Sequence, residues 1–207
     1  MQPISALASI CLVAAALTCV DVHARPHVAP PSYAPQVVTP TASPEAKPAA
    51  PQTHQSSSSD ISFAMACEVN RLRESLGKPP LGLATDLNDS AQGHSNVQAK
   101  FLQMAHEGLS DGSFLNRLSG YATQWNPPAE NVAYGNDSPL SIFLQWFGSS
   151  GHYQNMVGDY THTGCARARG SNGIYYWTQV FSNTPSAPRN IPDCSGYYAA
   201  HPKPASY

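Results

Sequence analysis

Apolar residues recur at helical spacing early in the chain and in strand-like runs late in it. Met65, Val69, Leu72 and Leu76 fall at i, i+4, i+7 and i+11, which is one face of an α-helix. Ser59 or Asp60 is placed to cap its start, and Gly77 ends it before Lys78-Pro79-Pro80. A second helix is expected from about Asp86 to Met104, capped by Thr85 or Asp86, with a stripe of Leu87, Ala91, His94, Val97 or Gln98, and Phe101. A short helix is expected at 113–119. Ser138-Pro139, a cap residue followed by proline at the first helical position, opens another that runs to about Phe147. Residues 161–169 and 174–182 read as strands joined by Gly170-Ser171-Asn172-Gly173, in which Asn-Gly signals a hairpin. Asn131–Tyr134 reads as a short strand. Helices come first and the hairpin last, which predicts α+β layers rather than a doubly wound parallel sheet.

The remaining stretches carry no such periodicity. Residues 4–20 form an uncharged apolar run, followed by Val22-His23-Ala24, with small residues where signal peptidase cuts. Residues 1–24 are therefore expected to be a signal peptide removed on export. Residues 25–59 hold eight prolines, many Ser, Thr and Ala, and only Arg25, Glu45 and Lys47 as charges. Such a segment cannot bury enough surface to offset its ordering entropy and is expected to be a disordered linker or stalk. Residues 184–207, again proline-rich, are expected to form a loose tail whose start Cys194 can pin. The folded domain is expected over 60–183.

Charge narrows the function classes. The chain of 207 residues carries 11 Lys and Arg against 13 Asp and Glu, and the 60–183 segment carries 7 against 10. No basic field is available for nucleic acid. Beyond residue 24 no apolar run approaches the ~18 residues of a membrane span. Export implies an oxidising compartment. Cys11 and Cys19 leave with the signal, and Cys67, Cys165 and Cys194 remain. These three make at most one intramolecular disulfide and leave one thiol over, with three pairings open. Asn88-Asp89-Ser90 and Asn136-Asp137-Ser138 fit the N-glycosylation pattern, Asn136 less well because Pro139 follows.

Several fragments of the domain are specific when taken in order: Val69-Asn70-Arg71-Leu72-Arg73, His94-Ser95, Met104-Ala105-His106, Glu130-Asn131-Val132-Ala133-Tyr134-Gly135, Gln145-Trp146, Ser150-Gly151-His152-Tyr153-Gln154-Asn155-Met156, Gly164-Cys165-Ala166 and Tyr176-Trp177-Thr178-Gln179-Val180-Phe181. Over about 62–182 they resemble the CAP superfamily of cysteine-rich secretory proteins, antigen 5 and pathogenesis-related 1 proteins. The short loops and few cysteines look most like its fungal, oomycete and bacterial branch. The resemblance implies a three-layer αβα sandwich and a cleft of two His and two acidic residues. His106 matches the first His, and Glu130 matches the first acid. The second acid's position is Ser149, and the second His's position is Tyr176. His152 is a further candidate for the same cleft, with turn capping as an equal alternative. With two of the four replaced, a zinc ion at His106 is the lesser expectation, and no cofactor is required.

The residues themselves suggest how Glu130 is kept. Among Val132, Ala133 and Tyr134, a carboxylate needs a charged or hydrogen-bonding partner, or it will be protonated. An imidazole would serve, as general base or, by preference, as a structural lock. His94, on its helical stripe, and His162, at a strand start, read as structural. A separate apolar candidate lies between the first helix (Met65, Val69, Leu72) and the helix after Pro139 (Ile142, Phe143, Trp146): side by side, these faces either form a groove that takes an acyl chain or simply close the core, with closure slightly favoured.

Three functions are expected in order. The first, which the resemblance implies, is non-enzymatic binding of a small lipid, a sterol or fatty acid, in the extracellular space or cell wall, with a defence or virulence role and cell-wall or host components as further partners. The second is a metal-assisted hydrolase or protease using His106 and Glu130. The third is a surface interaction module whose cleft is purely structural.

Overall fold

The structure, a computed structural model, describes residues 57–205. The expected signal peptide and almost all of the expected linker lie outside the described residues. The first helix, α1 (Ser58–Ser75), starts on a capping box. The Ser57 hydroxyl accepts from the Asp60 amide, and the Asp60 carboxylate accepts from the Ser57 amide. The cap is thus slightly earlier than expected, at Ser57 rather than Ser59 or Asp60. At the other end Gly77 takes φ +67°, a left-handed turn that favours glycine.

A two-residue strand, β1 (Gly82–Leu83), leads into α2 (Thr85–Phe101), which stops short of Met104 at a left-handed Leu102. Then come α3 (Phe114–Ser119), β2 (Ala129–Gly135) and α4 (Pro139–Phe147), capped by the Ser138 hydroxyl with proline at its first turn. The stretch Ser150–Val157, for which no element was expected, is helix α5. The hairpin follows as β3 (His162–Arg169) and β4 (Tyr175–Ser182). The sheet order is β1-β3-β4-β2, parallel between β1 and β3 and antiparallel elsewhere, so β2 is an edge strand.

Alternation on the strands sorts the two faces. Cys165, Trp177 and Phe181 face α1, α4 and α5. Ala166 and Val180 face Leu87 and Ala91 of α2 and Leu118 of α3. The result is the expected α+β fold with helices on both sides of the sheet. Gly164 permits the closest crossing, since a Cβ there would meet the Asn88 backbone at 2.2 Å.

The Val69–Arg73 fragment ties loops to this frame. The Asn70 side chain donates to the Leu81 carbonyl (3.0 Å) and accepts from the Leu81 amide (2.8 Å), as a strand partner would. The buried Arg73 guanidinium donates to the carbonyls of Pro79, Met156, Gly158 and Tyr160. Backbone oxygens that would otherwise lose water without a partner are satisfied in this way.

The C-terminal segment differs from the expected loose tail. A disulfide joins Cys67 to Cys194, leaving Cys165 as the buried free thiol. The last helix, α6 (Ser195–Ala200), lies on α1. Tyr197 donates to Glu68, Tyr198 donates to the Cys67 carbonyl, and Arg71 donates to the His201 carbonyl. Proline content alone missed these aromatic and charged anchors.

His162 is wholly buried. Its Nδ1 meets the Thr161 hydroxyl at 2.7 Å, and its Nε2 meets the Pro188 carbonyl at 3.3 Å. Burial holds its pKa below the ordinary 6.5, with the Pro188 bond opposing and the Arg189 charge adding to the shift. In the unfolded chain the ring takes its proton near the ordinary value, and in the fold only at lower pH. The unfolded state therefore binds more protons as pH falls below 6.5, and stability drops there. His162→Gln is expected to flatten the decline in melting temperature between about pH 7 and pH 5. Melting curves across that range test it, and an unchanged profile would rule out His162 as a contributor.

Candidate functional site

The site is built where the connector after α2, helix α3 and the edge strand β2 converge. Strand alternation turns Glu130, Val132 and Tyr134 to the α2–α3 side of the sheet and Asn131 to the α5 side. His106 Nδ1 donates to Glu130 Oε1 at 3.0 Å, and Arg117 donates to Glu130 Oε2 at 2.6 Å. Both carboxylate oxygens are thereby engaged. The exposures divide the roles, since the side chains of Glu130 (2%) and Arg117 (6%) are buried while that of His106 is half exposed (53%). Arg117 also donates to the carbonyls of His106 and Gly112, so one guanidinium closes the whole 106–117 connector.

A second pair backs the first. His94 meets Asp111 at 2.6 Å and the Ala105 carbonyl at 2.7 Å, and Asp111 lies 3.8 Å from Arg117 Nε. Glu130, Arg117, Asp111 and His94 thus form a continuous polar chain behind His106. Arg117 and Asp111 were not singled out in the sequence. The available signal was the demand of a buried Glu130 for a cation, with Arg117 the only Lys or Arg between Lys100 and Arg167.

His152, on α5, reaches this edge from the other layer. Burial holds its imidazole below the ordinary value, and the nearby charge of His106 lowers it further. The backbone carbonyl of His152 accepts from Asn131, whose own oxygen accepts from Asn155, so β2 is tied to α5. Ser149 caps α5 through its backbone, accepting from the Tyr153 amide. Tyr176 pairs in register with Tyr134, four residues along β2 from Glu130, and its hydroxyl accepts from Asn172. The structure therefore gathers His106, Glu130 and His152, while Ser149 serves the start of α5 and Tyr176 lies beside Tyr134, away from the Glu130 carboxylate.

The donor set does not suit zinc. A catalytic zinc wants three protein ligands, and Glu130 has both oxygens committed to other cations or donors. No group of three or more His, Cys, Asp and Glu is arranged for a metal among the described residues.

The α1–α4 groove is closed. Met65, Val69, Leu72, Ile142, Phe143 and Trp146 are at most 3% exposed and belong to one core cluster. Two apolar faces brought side by side bury more surface against each other than either would by leaving a gap. Trp146 also donates to the Val132 carbonyl, a structural bond. An open apolar depression of about 430 Å³ lies elsewhere, lined by Leu102, Gln103, Met104, Tyr134, Asn172, Ile174 and Tyr176. Leu102 (43%), Met104 (42%) and Tyr134 (54%) are exposed there. Met104 is two residues from His106, and Tyr134 shares a strand face with Glu130, so the depression adjoins the polar cleft.

Of the glycosylation candidates, Asn136 is exposed and bonded to the Ser138 and Ser141 turn. Asn88 is half-buried on α2 with its amide on Ser58. Cys165 is buried, and burial pushes its thiol pKa well up, which makes it a poor nucleophile.

The sandwich and its edge cleft define a class, and comparison with known proteins gives the family. The family described as CAP, cysteine-rich secretory protein family, matches residues 68–181, more than half of the chain, and the chain belongs to it. No curated protein matches it. Solved structures share the fold. An extracellular protein containing a SCP domain from Bacillus anthracis is 20% identical, with TM-score 0.56, covering 67% of this chain and 45% of that one. An outer surface protein from Borrelia burgdorferi is 19% identical, with TM-score 0.53, covering 57% and 89%. A cysteine-rich secretory protein from Staphylococcus aureus is 19% identical, with TM-score 0.51, covering 64% and 40%. The chain thus spans less than half the length of the Bacillus and Staphylococcus proteins. Among the described residues no helix is long and apolar enough to cross a membrane.

Proposed function

We propose that this protein is exported and binds a small lipid, a sterol or fatty acid, without catalysis. The lipid's apolar body lies in the Leu102–Met104–Tyr134 depression and its polar end lies toward His106. The observation that carries this is the exposure of Leu102, Met104 and Tyr134 together beside a polar cleft. Contiguous exposed apolar side chains of this kind mark ligand or partner sites. Each buried CH₂ contributes roughly 0.8 kcal/mol, so an acyl chain binds with no reactive group. Export is supported by the 1–24 signal pattern, the disulfide and membership of a family of secretory proteins.

One feature favours the hydrolase alternative. Glu130 fixes Nδ1 of His106 and leaves Nε2 free of that pair, as a general base requires. Against it, Glu130 is tied to Arg117 in a structural pair.

The test is equilibrium binding of a labelled sterol and a labelled fatty acid to the mature chain. Met104→Glu is expected to raise Kd at least about tenfold, the effect of losing two buried CH₂ groups, and His106→Ala to leave sterol binding nearly intact. Unaltered binding in Met104→Glu would remove the depression as the site. Hydrolytic activity abolished by His106→Ala would replace lipid binding with catalysis.

A further inference from the structure

Away from the cleft, a polar trough runs between α2 and the β3–β4 hairpin. Gln92, Asn96 and Lys100 stand at i, i+4 and i+8 on one face of α2. Opposite them lie Arg167, Arg169 and Ser171, with Ser58 and Tyr175 at one end. Two neighbouring hollows of about 390 and 330 Å³ share Asn96, Ala168 and Arg169 in their walls. Gln92 to Lys100 spans about 12 Å along the helix axis, longer than any single anionic group. Three of the seven Lys and Arg residues of 60–183 line it, in a chain of net charge −2, and no Asp or Glu lines either hollow.

The cations are not equivalent. Arg167 is preorganised. Its guanidinium lies 4.5 Å from the Tyr175 ring centroid and 5.3 Å from that of Trp177, and it donates to the Asp137 carbonyl, with the Asp137 carboxylate at 4.0 Å. Arg169 and Lys100 are exposed and make no ion pair among the described residues. The Lys100 ammonium lies 5.4 Å from the Phe101 ring centroid, a weak contact that an anion can displace.

We propose that this trough binds an acidic polysaccharide. Arg169 and Lys100 take the anionic groups, and the side chains of Asn96, Ser58 and Ser171 exchange hydrogen bonds with sugar hydroxyls. An extended acidic peptide fits less well. It would add to the β3 edge through backbone bonds, but Gln92 already donates to the Arg167 carbonyl on that edge at 3.1 Å. A nucleic acid would need more than this short cationic stretch in a net-acidic chain.

The experiment is calorimetric titration of the mature chain with polygalacturonate, dextran sulfate, neutral dextran and inorganic phosphate. Saturable binding to at least one acidic polymer is expected, weakening as salt rises, with no binding of neutral dextran. Arg169→Ala combined with Lys100→Ala should raise Kd at least about tenfold, as loss of two charge-assisted contacts predicts. Both side chains are exposed, so the circular dichroism spectrum and unfolding midpoint should stay unchanged and report a folded variant. No binding to either acidic polymer, equal binding to neutral dextran, unchanged Kd in the double variant, or binding of phosphate alone would overturn the proposal. Met104→Glu and His106→Ala should leave polymer binding as it was, so failure here and failure of lipid binding are separately visible.

Discussion

Cys194→Ala is expected to lower the free energy of unfolding by about 2–5 kcal/mol. The bridge to Cys67 joins residues 127 apart in the chain, almost the whole folded part. The chain-entropy estimate for a loop that long is about 5 kcal/mol, an upper figure because real denatured chains keep some structure. Cys67 is fully buried on α1, where a released thiol behaves as a small apolar group, so the loss falls on the crosslink rather than on packing. Releasing Cys194 also frees α6 to leave, with its bonds from Tyr197 to Glu68 and from Tyr198 to the Cys67 carbonyl. Urea unfolding with and without reductant measures the effect. Reductant should bring the native protein down to the variant's stability and leave the variant unmoved. A variant within about 0.5 kcal/mol of the parent, the usual scatter of neutral substitutions, would show that the bridge contributes little.

The elements most legible in the sequence were those whose periodicity and termini agreed. Pro139–Phe147 had a capping serine, a proline at its first turn and one apolar face, and it forms there without offset. The hairpin strands lie within one residue of their expected starts because Asn172-Gly173 fixes the turn. Ser150–Val157 was not legible as a helix. Its residues Gly151, His152, Tyr153, Gln154 and Asn155 give no clear apolar stripe, and tertiary bonds through Asn155 and the His152 carbonyl hold it. Local pattern cannot report a helix stabilised by its neighbours.

The site was legible in chemistry more than in membership. The need of Glu130 for a partner followed from its apolar neighbours, and both His106 and Arg117 supply one. Ser149 and Tyr176 were assigned by position in a motif. The structure places Ser149 at the start of α5, and it places Tyr176 beside Tyr134 in the wall of the apolar depression rather than against Glu130. The two readings of the apolar faces, groove or closed core, could be separated only by the structure. One helical face is visible in a sequence, but whether a second face closes over it is decided by packing.

Glu130→Ala is expected to cost about 3 kcal/mol, because it removes the nearer of the two carboxylates on the buried Arg117 guanidinium and leaves only Asp111, at 3.8 Å. Removing both charges, as Glu130→Ala with Arg117→Met, should cost much less than the two single losses added, since no orphaned charge remains. Urea unfolding of the four proteins closes the cycle. Strict additivity would mean that the pair is not a lock. His106→Ala should cost under about 1 kcal/mol, since a half-exposed ring gives up only one hydrogen bond. That asymmetry governs how function can be tested at this cleft. Activity or binding lost in a Glu130 variant reports a loosened 106–117 connector as readily as a missing carboxylate. Loss in His106→Ala, with the Arg117–Glu130 pair intact beneath it, reports the imidazole itself.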